Sequence, residues 1–241
     1  MSFEIFFDEA AHTYQWEGIY LPGCTTVTGI LPKQWLAAWA AKECVTYILE
    51  NGDFTSDQKK IIMDGKGAWR RKSKKAADSG TAAHAHIESY IKTGTEPLLF
   101  ENEDVKNSFN LFLLWLNMNK VEWIESEVVV GSKNHMYAGK FDATAKINGK
   151  VTLVDFKTSS GIYAEQYYQT GGYQIAYEEM GKTPKIEQRM ILWVPKTGSD
   201  FEARIVPTPF ESDKRVFLAA LELYKRLADS ERILEALKKA S

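Results

Sequence analysis

Cysteine is nearly missing: Cys24 and Cys44 are the only two among 241 residues. Two thiols cannot build a disulfide framework, a four-cysteine zinc site or an iron–sulfur cluster held by cysteines alone. No apolar run approaches the roughly 20 residues that a membrane helix needs, so no membrane partner is expected. The N-terminus, MSFEIFFDEA, has acidic residues where a secretory signal needs a basic start, an apolar core and a small-residue cleavage site. A reducing cytoplasm is the expected setting. Surplus positive charge is missing too. The formal net charge is -2, so nucleic acid would have to be held by local basic clusters and bound cations. What remains is ordinary for a folded chain, 44% hydrophobic and 26% charged, with length enough for one sizeable core and neither repeats nor low-complexity tracts.

Apolar spacing predicts an α/β chain with a small N-terminal hairpin, a mainly helical N-terminal region and a central mixed sheet flanked by helices. FEIFFD and TYQWEGIYL read as the hairpin strands, and PGCTTVTGILP as a loop leading into a helix. Over residues 32–50, Leu36, Trp39, Ala40, Val45, Tyr47 and Ile48 recur at helical spacing, with Pro32 suited to the first turn. Residues 56–93 are largely helical with breaks near Gly65, Gly67 and Gly80, and residues 104–120 form another apolar-faced helix. VEWIESEVVV, HMYAGKFDATAKI and VTLVDFK are strand-like. After them come a helix over 164–180, strands RMILWVP and FEARIVP, and a closing helix over 210–240 with leucines and alanines turned inward.

The chemistry concentrates in VTLVDFK. Val151, Leu153 and Val154 predict a strand buried on both sides, and charge at its end is costly. Side chains two apart on a strand share a face, so Asp155 and Lys157 point one way and Phe156 the other. The turn INGK folds the preceding strand back and brings Asp142 of GKFD towards Asp155. Two carboxylates and the Phe156 carbonyl suit magnesium, and Lys157 could orient or deprotonate a water. A DxK alone reads as an ion pair at a strand end; the neighbouring patterns change that reading.

Upstream, SGTAAHAHIESY starts a helix at Ser79 or Thr81 and puts His84 and Glu88 on one face. Glu88 stands as a second ligand or as outer support. His86 faces away, because residues two apart on a helix are separated by about 200°, which rejects zinc bound by both histidines. Downstream, EQYYQTGGYQIAYEE puts Gln169 and Tyr173 on one face, where Gln169 could touch substrate or metal-bound water, while Tyr177 reads as core. Gly171 and Gly172 inside a helix call for close approach of another backbone, the sheet or a nucleic-acid strand. KGAWRRKSKK holds Lys66, Arg70, Arg71, Lys72, Lys74 and Lys75 around Trp69, a candidate track for phosphates with a stacking ring. Trp35 and Trp39 read as packing residues.

Taken in order, Gly80-Thr81-x-x-His84, Gly139-x-x-Asp142, Asp155-x-Lys157 and Gln169-x-x-x-Tyr173 resemble the RecB-like branch of the PD-(D/E)xK nucleases, which includes phage recombination exonucleases. The resemblance spans residues 80–195. Further upstream, LPGCTTVTGIL with QWLAAWAAK is similar to the opening of phage-type exonucleases and of the mitochondrial genome-maintenance exonuclease, where an added helical region covers the active site. Phe141 stands where the superfamily name has proline, a common departure in this branch, and the cysteines of the iron–sulfur members are missing.

The resemblance implies a restriction-endonuclease-like fold, with residues 1–79 as the hairpin and helical cover for DNA entry and residues 80–241 as the nuclease core. It implies one or two Mg2+ or Mn2+ ions bound by His84, Asp142, Asp155 and the Phe156 carbonyl. Lys157 serves the water, and Gln169 and Tyr173 support the site. The implied activity is a stand-alone, metal-dependent DNA exonuclease of phage or prophage recombination, working beside a single-strand annealing protein. A structure-specific or nicking endonuclease on the same fold is the alternative. A DNA-binding module without catalysis is the third reading, against which the intact Asp142, Asp155 and Lys157 argue.

Overall fold

A computed structural model describes residues 4–52 and 57–240; Ser56, where the second helical stretch was expected to begin, lies outside them. The first sheet is antiparallel, with strands β1 (Phe6–Asp8), β2 (Thr13–Trp16) and β3 (Ile19–Leu21) in that order. The expected two-strand hairpin is thus a three-strand meander. TYQWEGIYL turns back at Glu17 and Gly18, whose φ angles of 48° and 79° form the left-handed pair that a tight hairpin needs. Within the segment expected to be a loop, α1 (Cys24–Thr28) buries Cys24, Val27 and Thr28.

Four helices follow: α2 (Gln34–Asn51), α3 (Gln58–Lys66), α4 (Ala68–Thr93) and α5 (Glu103–Asn117). Asp57 caps α3 by accepting from the Lys59 and Lys60 amides, and Asn102 caps α5 by accepting from the Val105 amide. Pro32 precedes the N-cap Lys33 and lies outside the first turn of α2. Gly67 separates α3 from α4, but Gly80 breaks nothing, and the helix begins at Ala68 instead of Ser79 or Thr81. Residues 79 and 80, the expected boundary, therefore lie inside one continuous helix. Gly80 is there for contact: a Cβ would sit 2.9 Å from Thr158 Oγ1. Tertiary packing outweighs the ~1 kcal/mol that a mid-helix glycine costs.

The main sheet has the order β4 (Val121–Ser132), β5 (Tyr137–Ile147), β6 (Lys150–Lys157), β7 (Gln188–Trp193), β8 (Glu202–Ile205). Only β6 and β7 run parallel, joined through α6 (Ala164–Glu179), so the sheet is mixed. Helices cover both faces. On one, Leu153, Phe141 and Val128 pack with Tyr173 and Tyr177 of α6 and with Phe217 of α7 (Phe210–Ala240). On the other, Val154, Phe156 and Ala143 pack with Ile87 of α4 and with Phe109, Phe112 and Trp115 of α5. Burying each such large side chain stabilises by about 1.5–3 kcal/mol, so β6, buried on both faces, is fixed between two cores.

The paired glycines of α6 do mark a close approach, but the neighbour is α7. A Cβ on Gly172 would lie 2.6 Å from the Phe217 ring, and one on Gly171 would lie 3.1 Å from Asp213 Cβ. The inward stripe expected along α7 is short. Phe217, Ala220 and Leu221 are buried, whereas Leu223, Leu227, Ile233 and Leu234 are exposed. No helix among the described residues is long and apolar enough to cross a membrane.

Candidate active site

Asn148 and Gly149, with φ angles of 48° and 91°, turn β5 back on β6 and set the register of the hairpin. Pairing runs from Ile147↔Lys150 to Ala143↔Val154 and stops. The next residues in that register, Asp142 and Asp155, face each other where the strands part. Asp142 Oδ2 accepts from the Phe156 amide at 2.6 Å, and its Oδ1 lies 2.9 Å from His84 Nδ1. Lys157 forms an ion pair with Asp155, as residues of one strand face can. Even so, Asp155 is only 3% exposed and its Oδ2 has no well-directed hydrogen bond. The Lys157 carbonyl accepts from Val194 on the β7 side, so the alternation of the strand turns the Phe156 carbonyl towards Asp142.

The two carboxyls are pushed in opposite directions. Burial works against ionising Asp142, but His84 beside it, Lys157 and the Phe156 amide outweigh burial and hold its pKa below the ordinary value. Burial pushes Asp155 up; Lys157 opposes this and Asp142 adds to it. For His84, burial disfavours the charged form, yet Asp142 carries the imidazole above its usual pKa. Divergent pKa values in adjacent acids are a mark of acid–base sites.

Gln169, expected to touch substrate or metal-bound water, is buried and donates to the Tyr173 hydroxyl at 2.6 Å and to Thr25 Oγ1 at 3.1 Å. Tyr173 is buried as well, and burial with Asp155 nearby raises its hydroxyl pKa well above the ordinary value. It packs on the first glycine of Gly139-x-x-Asp142, where a Cβ would come within 2.6 Å of the Tyr173 ring and 2.9 Å of Cys24 Sγ. Gln169 and Tyr173 therefore fasten α6 and α1 to the strand that carries Asp142, a supporting role. Tyr177 is core, its hydroxyl donating to the Pro184 carbonyl. Glu88 pairs with Lys92 and not with His84, while His86 meets Glu101 and the Phe100 and Phe109 rings, away from the acids.

Two nearby residues escaped sequence reasoning. Glu127 falls opposite Asp142, between the pairs Ser126↔Ala143 and Val128↔Phe141, and has a left-handed φ of 54°. It pairs with Lys140; burial raises its pKa, with Asp142 and Glu88 adding to the rise. Nothing in VEWIESEVVV separates it from Glu122 and Glu125. Lys196 donates to the Thr158 carbonyl at 3.1 Å, and burial lowers its pKa. The basic segment is partly self-satisfied: Arg71 donates to the Asp64 carbonyl, Lys72 pairs with Glu43 and Lys74 with Asp78. Arg70 lies over the half-buried Trp69, and Lys66 and Lys75 have no ion-pair partner among the described residues.

Among the described residues no three His, Cys, Asp or Glu side chains are grouped as a metal-binding set. Magnesium does not require three, since it binds through one or two carboxylates and keeps several waters. Asp142 and Asp155 at the end of the β5–β6 register, with the Phe156 carbonyl on the same strand edge, are a donor set that fits such an ion, with Asp155 Oδ2 exchanging its Lys157 partner for it. His84, expected among the ligands, has its Nδ1 engaged with Asp142.

No protein-family model and no curated protein matches this chain. Among solved structures, one titled "Crystal structure of SSO0001" is similar over 79% of this chain and 87% of that one, with 12% identity and a TM-score of 0.30. A likeness so slight carries no argument about fold or activity.

Proposed function

We propose that this protein is a divalent-metal-dependent deoxyribonuclease of the RecB-like PD-(D/E)xK type, acting from DNA ends, and that its mixed sheet is the restriction-endonuclease-like core. The observation that carries the reading is the opposition of Asp142 and Asp155 where β5 and β6 part, with Lys157 and the Phe156 carbonyl beside them. Asp142, Asp155 and that carbonyl would hold magnesium or manganese. When bound, such an ion neutralises non-bridging phosphate charge and makes a bound water more acidic. Lys157, as an ammonium, would hold and orient the attacking water. His84 fixes one oxygen of Asp142 and the Phe156 amide fixes the other, so the carboxylate is oriented before substrate arrives.

Linear and covalently closed DNA, single- and double-stranded and labelled at either end, are incubated with protein and magnesium. Linear forms should be consumed and closed circles should survive. Chelator should stop cleavage, manganese should restore it, and Asp155→Asn should lose it while staying folded. Full activity of Asp155→Asn, or rapid cleavage in excess chelator, ends the assignment; prompt cutting of closed circles replaces the exonuclease with an endonuclease on the same site.

A further inference from the structure

Helix α2 has no buried residue, although Trp35, Trp39, Tyr47 and Ile48 lie along it. Trp35, read from sequence as a packing residue, is 46% exposed. Its ring stacks on Tyr163 with centroids 5.8 Å apart and planes at 17°, and Trp39 meets its edge at 6.4 Å. Tyr163 is the N-cap of α6, and the loop 158–163 joins it to Lys157, so it lies no more than about 20 Å from that lysine even with the chain fully extended.

That loop is tied down. Lys196 donates to the Thr158 carbonyl, Trp193 Nε1 to the Ser159 carbonyl at 2.7 Å, and the Ser160 and Tyr163 hydroxyls are 2.7 Å apart. A stacked aromatic pair is therefore held, half in water, on the segment that leaves the candidate active site. The surrounding charge is positive. Residues 33–78 hold ten Lys and Arg against six Asp and Glu, in a chain whose net charge is -2. Lys42, on the same face of α2 as Trp35 and Trp39, has no ion-pair partner among the described residues, and α4 brings its basic turns against α2 through Lys72–Glu43 and Arg71 over Tyr47. An exposed, pre-oriented indole on a segment with surplus positive charge, beside Lys42, matches an unpaired nucleobase and its phosphates, whereas an apolar protein surface would leave that charge uncompensated.

We propose that Trp35, backed by Tyr163, is a base-stacking platform that holds a nucleotide of a single strand on its way to Asp142 and Asp155. The inference rests on the nuclease reading and names where the strand is gripped. Ring stacking is indifferent to base identity, so the platform positions a strand without reading its sequence.

The test is affinity, measured with calcium in place of magnesium, for a short oligothymidylate and for the same strand made abasic at one position at a time. For the wild-type protein, one position should cost about tenfold when its base is removed, the low to middle part of what one stacked base contributes. Trp35→Ala should bind the intact strand about tenfold more weakly and be indifferent to that position, while Trp35→Phe should recover most of the loss. Wild-type protein that cleaves DNA but tolerates every abasic position within about twofold overturns the platform and leaves the nuclease standing. The platform is equally overturned if Trp35→Ala binds as wild type does, or if sedimentation shows Trp35 buried between two copies of the chain. Wild-type protein that neither binds nor cleaves DNA overturns both.

Discussion

Removing Asp213 should be among the most damaging single substitutions in the molecule. Asp213 in the first turn of α7 meets Arg189 of β7 at 2.8 Å, and their side chains are only 1% and 4% exposed. Burial already lowers the Arg189 pKa, and the Asp213 carboxylate is its counter-charge. Asp213→Ala leaves a buried guanidinium without that charge, a loss of about 3–5 kcal/mol. The Tyr167 and Thr208 carbonyls each accept from Arg189 at 3.2 Å, which places the loss near the lower end, about 3 kcal/mol. For a chain of this size the thermal midpoint should fall by roughly 6–12 °C. Arg189→Met with Asp213→Ala should recover most of the loss, because no unpaired charge remains. The assay is urea unfolding of the two single variants and the double, with the midpoints compared as a double-mutant cycle. A loss under about 1 kcal/mol for Asp213→Ala, or a double variant as unstable as the two losses added, would refute a desolvated pair as the clasp between α7 and the sheet.

Gly172→Ala should cost about 1–3 kcal/mol, because the added methyl meets the Phe217 ring, and Phe217→Leu should restore part of it; an unchanged urea midpoint contradicts the contact. Magnesium or manganese at about a hundred times its dissociation constant should stabilise the protein by roughly 2.7 kcal/mol, read as a rise in thermal midpoint. Asp155→Asn should lose that rise, and an equal rise in the variant would remove Asp155 from the metal. Replacing Arg70, Arg71 and Lys72 together with alanine should weaken DNA binding and flatten its salt dependence. Because Arg71 and Lys72 already have partners, the slope should change by nearer one phosphate contact than three, about 0.7 on a single strand; no change at any salt concentration assigns the segment to a solvated face.

Short-range chemistry was legible in the sequence. The Asn-Gly turn after β5, the two-sided burial of β6, the shared face of Asp155 and Lys157 and the bounds of α7 all follow from local rules. Long-range contacts were not. Gly80 looked like a helix break because its partner, Thr158, is far away in sequence. Glu127 could be found only once β4 was known to lie beside β5 in a particular register. Trp35 and Trp39 have the spacing of a core stripe, and periodicity cannot tell whether another element covers it. Gln169 and Tyr173 were found as a pair, but their hydrogen bond to each other and the glycine beneath Tyr173 turn them into scaffolding.

The register of one hairpin ties these observations together. A slip of a single residue between β5 and β6 would put Phe141 or Ala143 opposite Asp155 and send Asp142 to the other face, because strand side chains alternate. The turn at Asn148 and Gly149, at the far end of the hairpin, is therefore what brings the two acids together. Two buried carboxylates at that spot repel each other, and the fold offsets the repulsion with His84 from α4 and Lys157 from the strand itself. With His84 protonated, the four groups are electrically neutral, which is why the chain can hold them in its interior. A divalent cation on the two acids carries the same charge that His84 and Lys157 supply together. With such a cation in place the acids would not need His84 and Lys157 as counter-charges, and Lys157 would be left to orient a water beside them.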